Sequence, residues 1–202
     1  MYCSVGWHCS GPVEALSGLS LAVGAMVAEA TAAVCGAELQ LKWPNDLFAG
    51  EQKLGGVLIE MLGARDDAQS VVIGIGLNVL MSRNDGAPID RPSTDLTTAS
   101  GRDIDRNELA SSVLNQLAEG LAQIDQQGCA PWLNLWRRRD YLKGRSIVID
   151  GSPPIAGIAA GVSELGALVI ETQSGRQEVR FFGRNLDGSP IEASEAADAT
   201  AA

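Results

Sequence analysis

Nine consecutive residues, Val71-Val72-Ile73-Gly74-Ile75-Gly76-Leu77-Asn78-Val79, constrain the fold more tightly than any other stretch of the chain. In an extended strand successive side chains alternate between faces, so Ile73, Ile75, Leu77 and Val79 share one face and Gly74, Gly76 and Asn78 the other. A strand of this kind belongs in a sheet with one face packed on a core and the other nearly bare backbone. Bare backbone lets a flat ligand lie directly on the sheet, with Asn78 donating and accepting hydrogen bonds at its edge. The same glycines would equally accommodate a crossing helix. The pattern lacks the G-x-x-G that opens a dinucleotide-binding helix and the G-K-[ST] of a P-loop, which excludes nucleotide binding by those folds.

The neighbouring segments supply the rest of the sheet. Leu39, Leu41 and Trp43 alternate with Gln40 and Lys42, predicting a strand that carries Lys42 opposite its apolar residues and ends at Pro44. Lys53 to Glu60 reads as a further strand, with turns at 50–52 and 63–69, and Tyr2 to Trp7 as a strand under way from Met1. Three strands in succession predict an antiparallel or mixed sheet. Gly11-Pro12 introduces an amphipathic helix on Leu16, Leu19, Val23, Val27 and Ala30, with Glu14 in its first turn and Gly36 at its close. Ser82 to Gly101 is polar and reads as a surface loop with at most a short helix. Asp105 and Glu108 open a second helix on Leu109, Val113, Leu114, Leu117, Leu121 and Ile124. Pro131 to Tyr141 gives a third, with Trp132, Leu133 and Trp136 on its apolar side and Arg137, Arg138 and Arg139 as a solvated end. After Gly144 the texture changes to short strands at 146–149, 155–162, 167–171 and 178–182, a small β-barrel. From Pro190 to Ala202 the chain is Ala-rich and acidic, a disordered tail.

Composition narrows the function. With 202 residues and 46% hydrophobic content the chain can bury a substantial core. A net charge of -10 disfavours non-specific nucleic-acid binding, which depends on Lys and Arg neutralising phosphates. No apolar run approaches the roughly 20 residues needed to cross a bilayer, and no basic-then-apolar leader opens the chain. Cys3, Cys9, Cys35 and Cys129 are scattered and His8 is the single histidine, which argues against a zinc site or a disulfide framework and for free thiols in a reducing cytoplasm. No nucleic-acid partner, no membrane and no protein-held metal are expected, so any phosphate site is local.

That local site falls on Lys42-Trp43-Pro44-Asn45-Asp46-Leu47 and on Lys53-Leu54-Gly55-Gly56-Val57-Leu58-Ile59-Glu60. Two lysines flank a rigid Pro-Asn-Asp corner, and a glycine pair beside Lys53 leaves a floor with little bulk, a combination suited to a carboxylate or phosphate. Taken alone, the corner is also an ordinary turn and each lysine an ordinary surface residue.

These residues resemble biotin protein ligases, which carry K-W-P-N-D-L, then K-L-x-G-[IV]-L-x-E, then a G-x-G-x-N strand. All three occur here in order, as Lys42 to Leu47, Lys53 to Glu60 and Gly74 to Asn78. Tyr2-Cys3-Ser4, Gly18 to Gly24, Asp105-Arg106-Asn107 and Ala130 to Trp136 are also similar to family segments, so the resemblance spans roughly residues 1 to 185. It implies an α+β fold: a mixed β-sheet flanked by helices, the biotin/lipoate ligase catalytic fold lacking its N-terminal part, in residues 1–142. An SH3-like barrel at 143–187 and the tail at 188–202 would follow.

The implied reaction uses MgATP and biotin to form biotinyl-5'-AMP and pyrophosphate, then transfers biotin to a lysine of the biotin carboxyl carrier protein of acetyl-CoA carboxylase. By the resemblance Lys53 is catalytic; Tyr2, Lys53, Gly56 and Gly74 bind biotin; Lys42 and Asn78 bind ATP or the adenylate; Trp43, Asn45 and Asp46 support the corner or the metal-phosphate region. A homodimer is compatible with it. The family's Ser-Thr pair and G-R-G-R-x-G-R loop precede the strand of Tyr2 and have no counterpart here, nor does a DNA-binding helix-turn-helix. The reading is therefore a biotin ligase truncated at its start, with adenylation impaired by loss of the loop that excludes water. The alternatives are an inactive remnant that binds biotin or carrier protein, and a lipoate-type ligase, which the Trp-Pro-Asn-Asp motif disfavours.

Overall fold

In the computed structural model, residues 1–10, 16–65, 68–81, 92–150, 153–180 and 193–195 are described. The first sheet contains β1 (Tyr2–Ser10), β2 (Gln40–Lys42), β3 (Asp46–Ala49), β4 (Gln52–Arg65) and β5 (Ala68–Leu77). Its order is β1-β5-β4-β3-β2 and every ladder is antiparallel. Among the described residues parallel pairing is confined to two isolated bridges, Leu41 with Asp140 and Lys53 with Ser93, so the expected mixed sheet is corrected to an antiparallel one. The turns between β2, β3, β4 and β5 are short, and a parallel neighbour would need a long crossover.

The alternation predicted for the glycine strand is present. Ile73, Ile75 and Leu77 are buried, with Val57 of β4 and Leu47 of β3, while Gly74 and Gly76 face outward. The buried face packs on α1 (Leu19–Cys35), which lies between the sheet and the helices α3 (Arg106–Gln127) and α4 (Ala130–Arg138). Between β5 and α3 runs α2 (Leu96–Ser100). Enclosed on several sides, α1 buries Ala22, Val23, Ala25, Met26, Val27 and Ala28 alike, with Glu29 its one charged residue, and is not the one-sided amphipathic helix expected. It starts after Gly18 and closes at Gly36, both left-handed (φ 83° and 72°). Glu14 lies outside the described residues. Asp105 caps α3 as predicted, its carboxylate accepting from the Asn107 and Glu108 amides.

The second sheet holds β6 (Ser146–Ile149), β7 (Ile155–Val162), β8 (Leu168–Thr172), β9 (Gly175–Val179) and β10 (Ala193–Glu195), in the order β10-β6-β7-β8-β9. Among the described residues it does not close, so an open sheet stands where an SH3-like barrel was expected. Its two outer strands, β9 and β10, do not pair with each other. Most of the acidic tail lies outside the described residues, but Ala193–Glu195 pair with β6 and are not disordered: an open edge offers unpaired backbone groups to any strand that reaches it.

The arginine triplet is not a solvated end either. Arg139 bonds Glu29 (2.9 Å), Glu38 (2.7 Å) and the Leu39 carbonyl (3.2 Å), and its side chain is only 16% exposed. Arg137 donates to the Val162 and Ser163 carbonyls (3.3 and 3.0 Å), tying α4 to the second sheet. Only Arg138 is exposed. Cys9, Cys35 and Cys129 are buried, Cys3 is partly buried, and none of the four is in a disulfide. Burial raises the Cys9 and Cys129 thiols to about 11. Among the described residues no helix is long and apolar enough to cross a membrane.

Candidate active site

The outward face of β1, β5 and β4 forms the floor of a cleft of about 610 Å³. Tyr2 stands opposite Gly76 in β5, and Gly76 stands opposite Gly56 in β4, so one aromatic ring overlooks two residues without side chains. The next row sets Ser4 against Gly74, and Gly74 against Leu58. Lys53, Asp46, Asn45 and Asn78 rim the same cleft.

Lys53 is fixed by backbone and side chain together. Its amide donates to the Pro92 carbonyl (3.0 Å) and its carbonyl accepts from Thr94 (2.9 Å), which clamps the backbone between β4 and the segment 92–94. Register shifts between Leu47 and Phe48, so that Phe48 faces Lys53 while Leu47 faces Gly55. A bulge of this kind re-aims a side chain. Here the ammonium lies 2.5 Å from Asp46 Oδ1, 38% exposed, in reach of anything in the cleft.

Asn45 and Gly56 hold that pair. The Asn45 side-chain amide donates to the Val57 carbonyl (2.8 Å) and its own carbonyl accepts from the Val57 amide (2.8 Å), so the corner is pinned to β4 at both ends. A Cβ on Gly56 would sit 3.2 Å from Asp46 Oδ1 and 3.3 Å from the Asn45 carbonyl, crowding the carboxylate that holds Lys53. Asn78 is fixed in turn, its amide donating to Leu54 and its side chain to the Thr94 carbonyl (3.1 Å).

Seven of the nine residues singled out in the sequence thus line one cleft: Tyr2, Asn45, Asp46, Lys53, Gly56, Gly74 and Asn78. Lys42 and Trp43 do not. Lys42 stands opposite Asp46 in the β2–β3 ladder, but its ammonium lies over the rings of Phe48 (5.3 Å) and Tyr141 (5.7 Å). The two lysines that flank the corner therefore lie apart, the Lys42 cation being attracted to aromatic faces outside the cleft. Trp43 is buried and donates from Nε1 to the Gly166 carbonyl (3.1 Å), fastening the corner to the β7–β8 turn.

Sequence reasoning passed over Ser4, Met81 and Ser93, which also line the cleft. Ser4 was within reach, two residues from Tyr2 on one strand face; Ser93 is brought in by a bridge that no local pattern announces. Among the described residues no cluster of three or more His, Cys, Asp or Glu side chains could hold a metal ion.

Residues 11–78 match the model of the biotin/lipoate A/B protein ligase family. The biotin--[acetyl-CoA-carboxylase] ligase of Paracoccus denitrificans is 31% identical over 182 residues, covering 86% of this chain and 76% of that protein. The chain belongs to the biotin protein ligase family. The bifunctional ligase/repressor BirA of Escherichia coli (strain K12) is 36% identical over 173 residues, 85% of this chain and 53% of its own length. The chain therefore spans about half the length of BirA. Biotin protein ligase from Aquifex aeolicus superposes with a TM-score of 0.77 at 27% identity, covering 96% of this chain and 82% of that one. The same Aquifex enzyme has been solved in complex with biotin and ATP, and that structure matches with a TM-score of 0.76 at 28% identity over 96% of this chain and 78% of that one.

Proposed function

We propose that the cleft binds biotin and ATP, forms biotinyl-5'-AMP, and passes biotin to a lysine of the biotin carboxyl carrier protein of acetyl-CoA carboxylase. The observation that carries this reading is one ammonium, Lys53, held by Asp46 beside a floor of Gly56, Gly74 and Gly76. A biotin carboxylate oxygen attacks the α-phosphorus of ATP, the bond from that phosphorus to the bridging oxygen of the β-phosphate breaks, and pyrophosphate leaves. Two anions meet in that step, and Lys53 screens their repulsion and stabilises the developing charge. In the second step a carrier lysine amine attacks the acyl carbon and AMP departs. Mg2+ enters with the nucleotide as its counter-ion.

Tyr2, Gly56 and Gly74 are assigned to biotin, Asn78 to the adenylate, and Asn45, Asp46 and Trp43 to support of the corner. Lys42 is assigned to the adenylate from the far side of Asp46, a role that requires its ammonium to leave the two rings. Residues 1–142 are read as the catalytic unit, with the second sheet as an accessory to it. Biotin-dependent exchange of pyrophosphate into ATP tests the reading. Exchange is expected to fall about a hundredfold or more in Lys53→Ala, and an unchanged rate in that variant would remove Lys53 from the chemistry.

A further inference from the structure

Away from the cleft, the tip of the β3–β4 hairpin is gripped from outside. Glu51 lies in the turn between Ala49 and Gln52, two residues before Lys53. Its carboxylate accepts from the Tyr141 hydroxyl and from both terminal nitrogens of Arg145 (3.2 Å to Oε2, 2.9 Å to Oε1). Both donors belong to the segment between α4 and β6, more than 85 residues along the chain, a separation of 90 for Tyr141 and 94 for Arg145. Tyr141 is itself a fixed post. Its amide donates to the Leu41 carbonyl (3.0 Å), its ring lies 4.7 Å from Phe48 of the hairpin, and the Arg145 guanidinium lies 4.0 Å over that ring.

A surface ion pair alone contributes little to stability. This one has a bidentate geometry, a third donor and a rigid backing. It also acts on a four-residue strand, β3, that carries Asp46 at one end while Lys53 follows the turn at the other. We propose that Glu51 is a positioning residue: gripped by Arg145 and Tyr141, it fixes the hairpin so that Lys53 is held against Asp46 over the cleft. The entry to the second sheet thereby controls how well the first sheet's site is assembled. This extends the reading of Lys53 as the catalytic group and rests on it.

The test uses the 202-residue chain with Glu51→Gln, Arg145→Met and the double variant. At saturating biotin, each single variant is expected to slow pyrophosphate exchange by about tenfold or more while KM for biotin stays within about twofold, since small misplacements of a reacting group tax the chemical step. The double variant is expected to be no slower than the worse single one, because both act through one contact. Tyr141→Phe, which keeps the ring and removes the hydroxyl, should fall between them and the parent. A second readout needs no ligand. Amide hydrogen exchange at Lys53 should accelerate by about tenfold in the variants while Ile73 and Ile75 keep the parent's protection. Additive slowing, a rise in KM without loss of kcat, or unaltered exchange at Lys53 would overturn the proposal. If the parent itself exchanges no pyrophosphate, catalysis by this chain fails as a reading while ligand binding in the cleft does not, and amide exchange at Lys53 alone then decides the role of Glu51.

Discussion

The two faces of the first sheet are made by the same strands and obey different rules. On one face Ile73, Ile75, Leu77 and Val57 are sealed in the core; on the other Gly74, Gly76 and Gly56 leave the backbone open to a ligand. The sealed face fixes strand register, since a one-residue slip would send its apolar set to the open side. That fixed register is what brings Tyr2 over Gly76 and Gly56 over Asp46. The scaffold and the site are thus alternate residues of one pattern.

Adjacent substitutions should split the faces most sharply. Ile73→Ala is expected to lower stability by about 2–5 kcal/mol, measured by urea unfolding. Gly74→Val, one residue on, faces ordinary van der Waals neighbours at 3.6 Å and beyond and should cost less than about 1 kcal/mol while it fills the cleft. Equal losses of stability at the two positions would break the comparison. A smaller contrast lies at the end of α4. Arg139→Ala should destabilise by about 1 kcal/mol, because it removes a mostly buried side chain that joins the Leu39 carbonyl to the solvent-accessible Glu29 and Glu38, whereas exposed Arg138→Ala should stay within about 0.5 kcal/mol.

Two carboxyl groups at the first sheet respond to pH in opposite directions. Burial pushes Asp140, beside the β2 edge, up to about 6. The fold therefore favours its protonated form, and that contribution, complete below about 4, is lost as pH rises through 6. Thermal unfolding of Asp140→Asn should show a flatter pH dependence over that window. Hydrogen bonds from Arg145 and Tyr141 hold Glu51 down at about 2. Its contribution is present above about 4.5 and lost as pH falls through 2, so Glu51→Gln should soften acid unfolding between those values, the smallest of these effects.

Legibility in the sequence follows the range of the interactions. The glycine strand, the α3 cap and the Lys53 motif depend on neighbours within a few residues and were readable. The strand β3 was not, because Asn45-Asp46 read as a turn and only Leu47 and Phe48 remained to signal extension. The partners of Arg139 and of Glu51 lie about 90 to 110 residues away, and no periodicity points to them. Helix α1 was read with the wrong exposure because its amphipathic pattern continued into residues that face α3 and α4.

The central claim is that the glycine floor beside Lys53 receives the biotinyl adenylate. Calorimetric titration of the chain with a non-hydrolysable biotinyl-5'-AMP analogue tests it most directly, with Gly74→Val as the comparison. One analogue per chain is expected, with the affinity lost in Gly74→Val while urea unfolding stays cooperative. Binding of equal strength in Gly74→Val would place the ligand elsewhere and contradict the account.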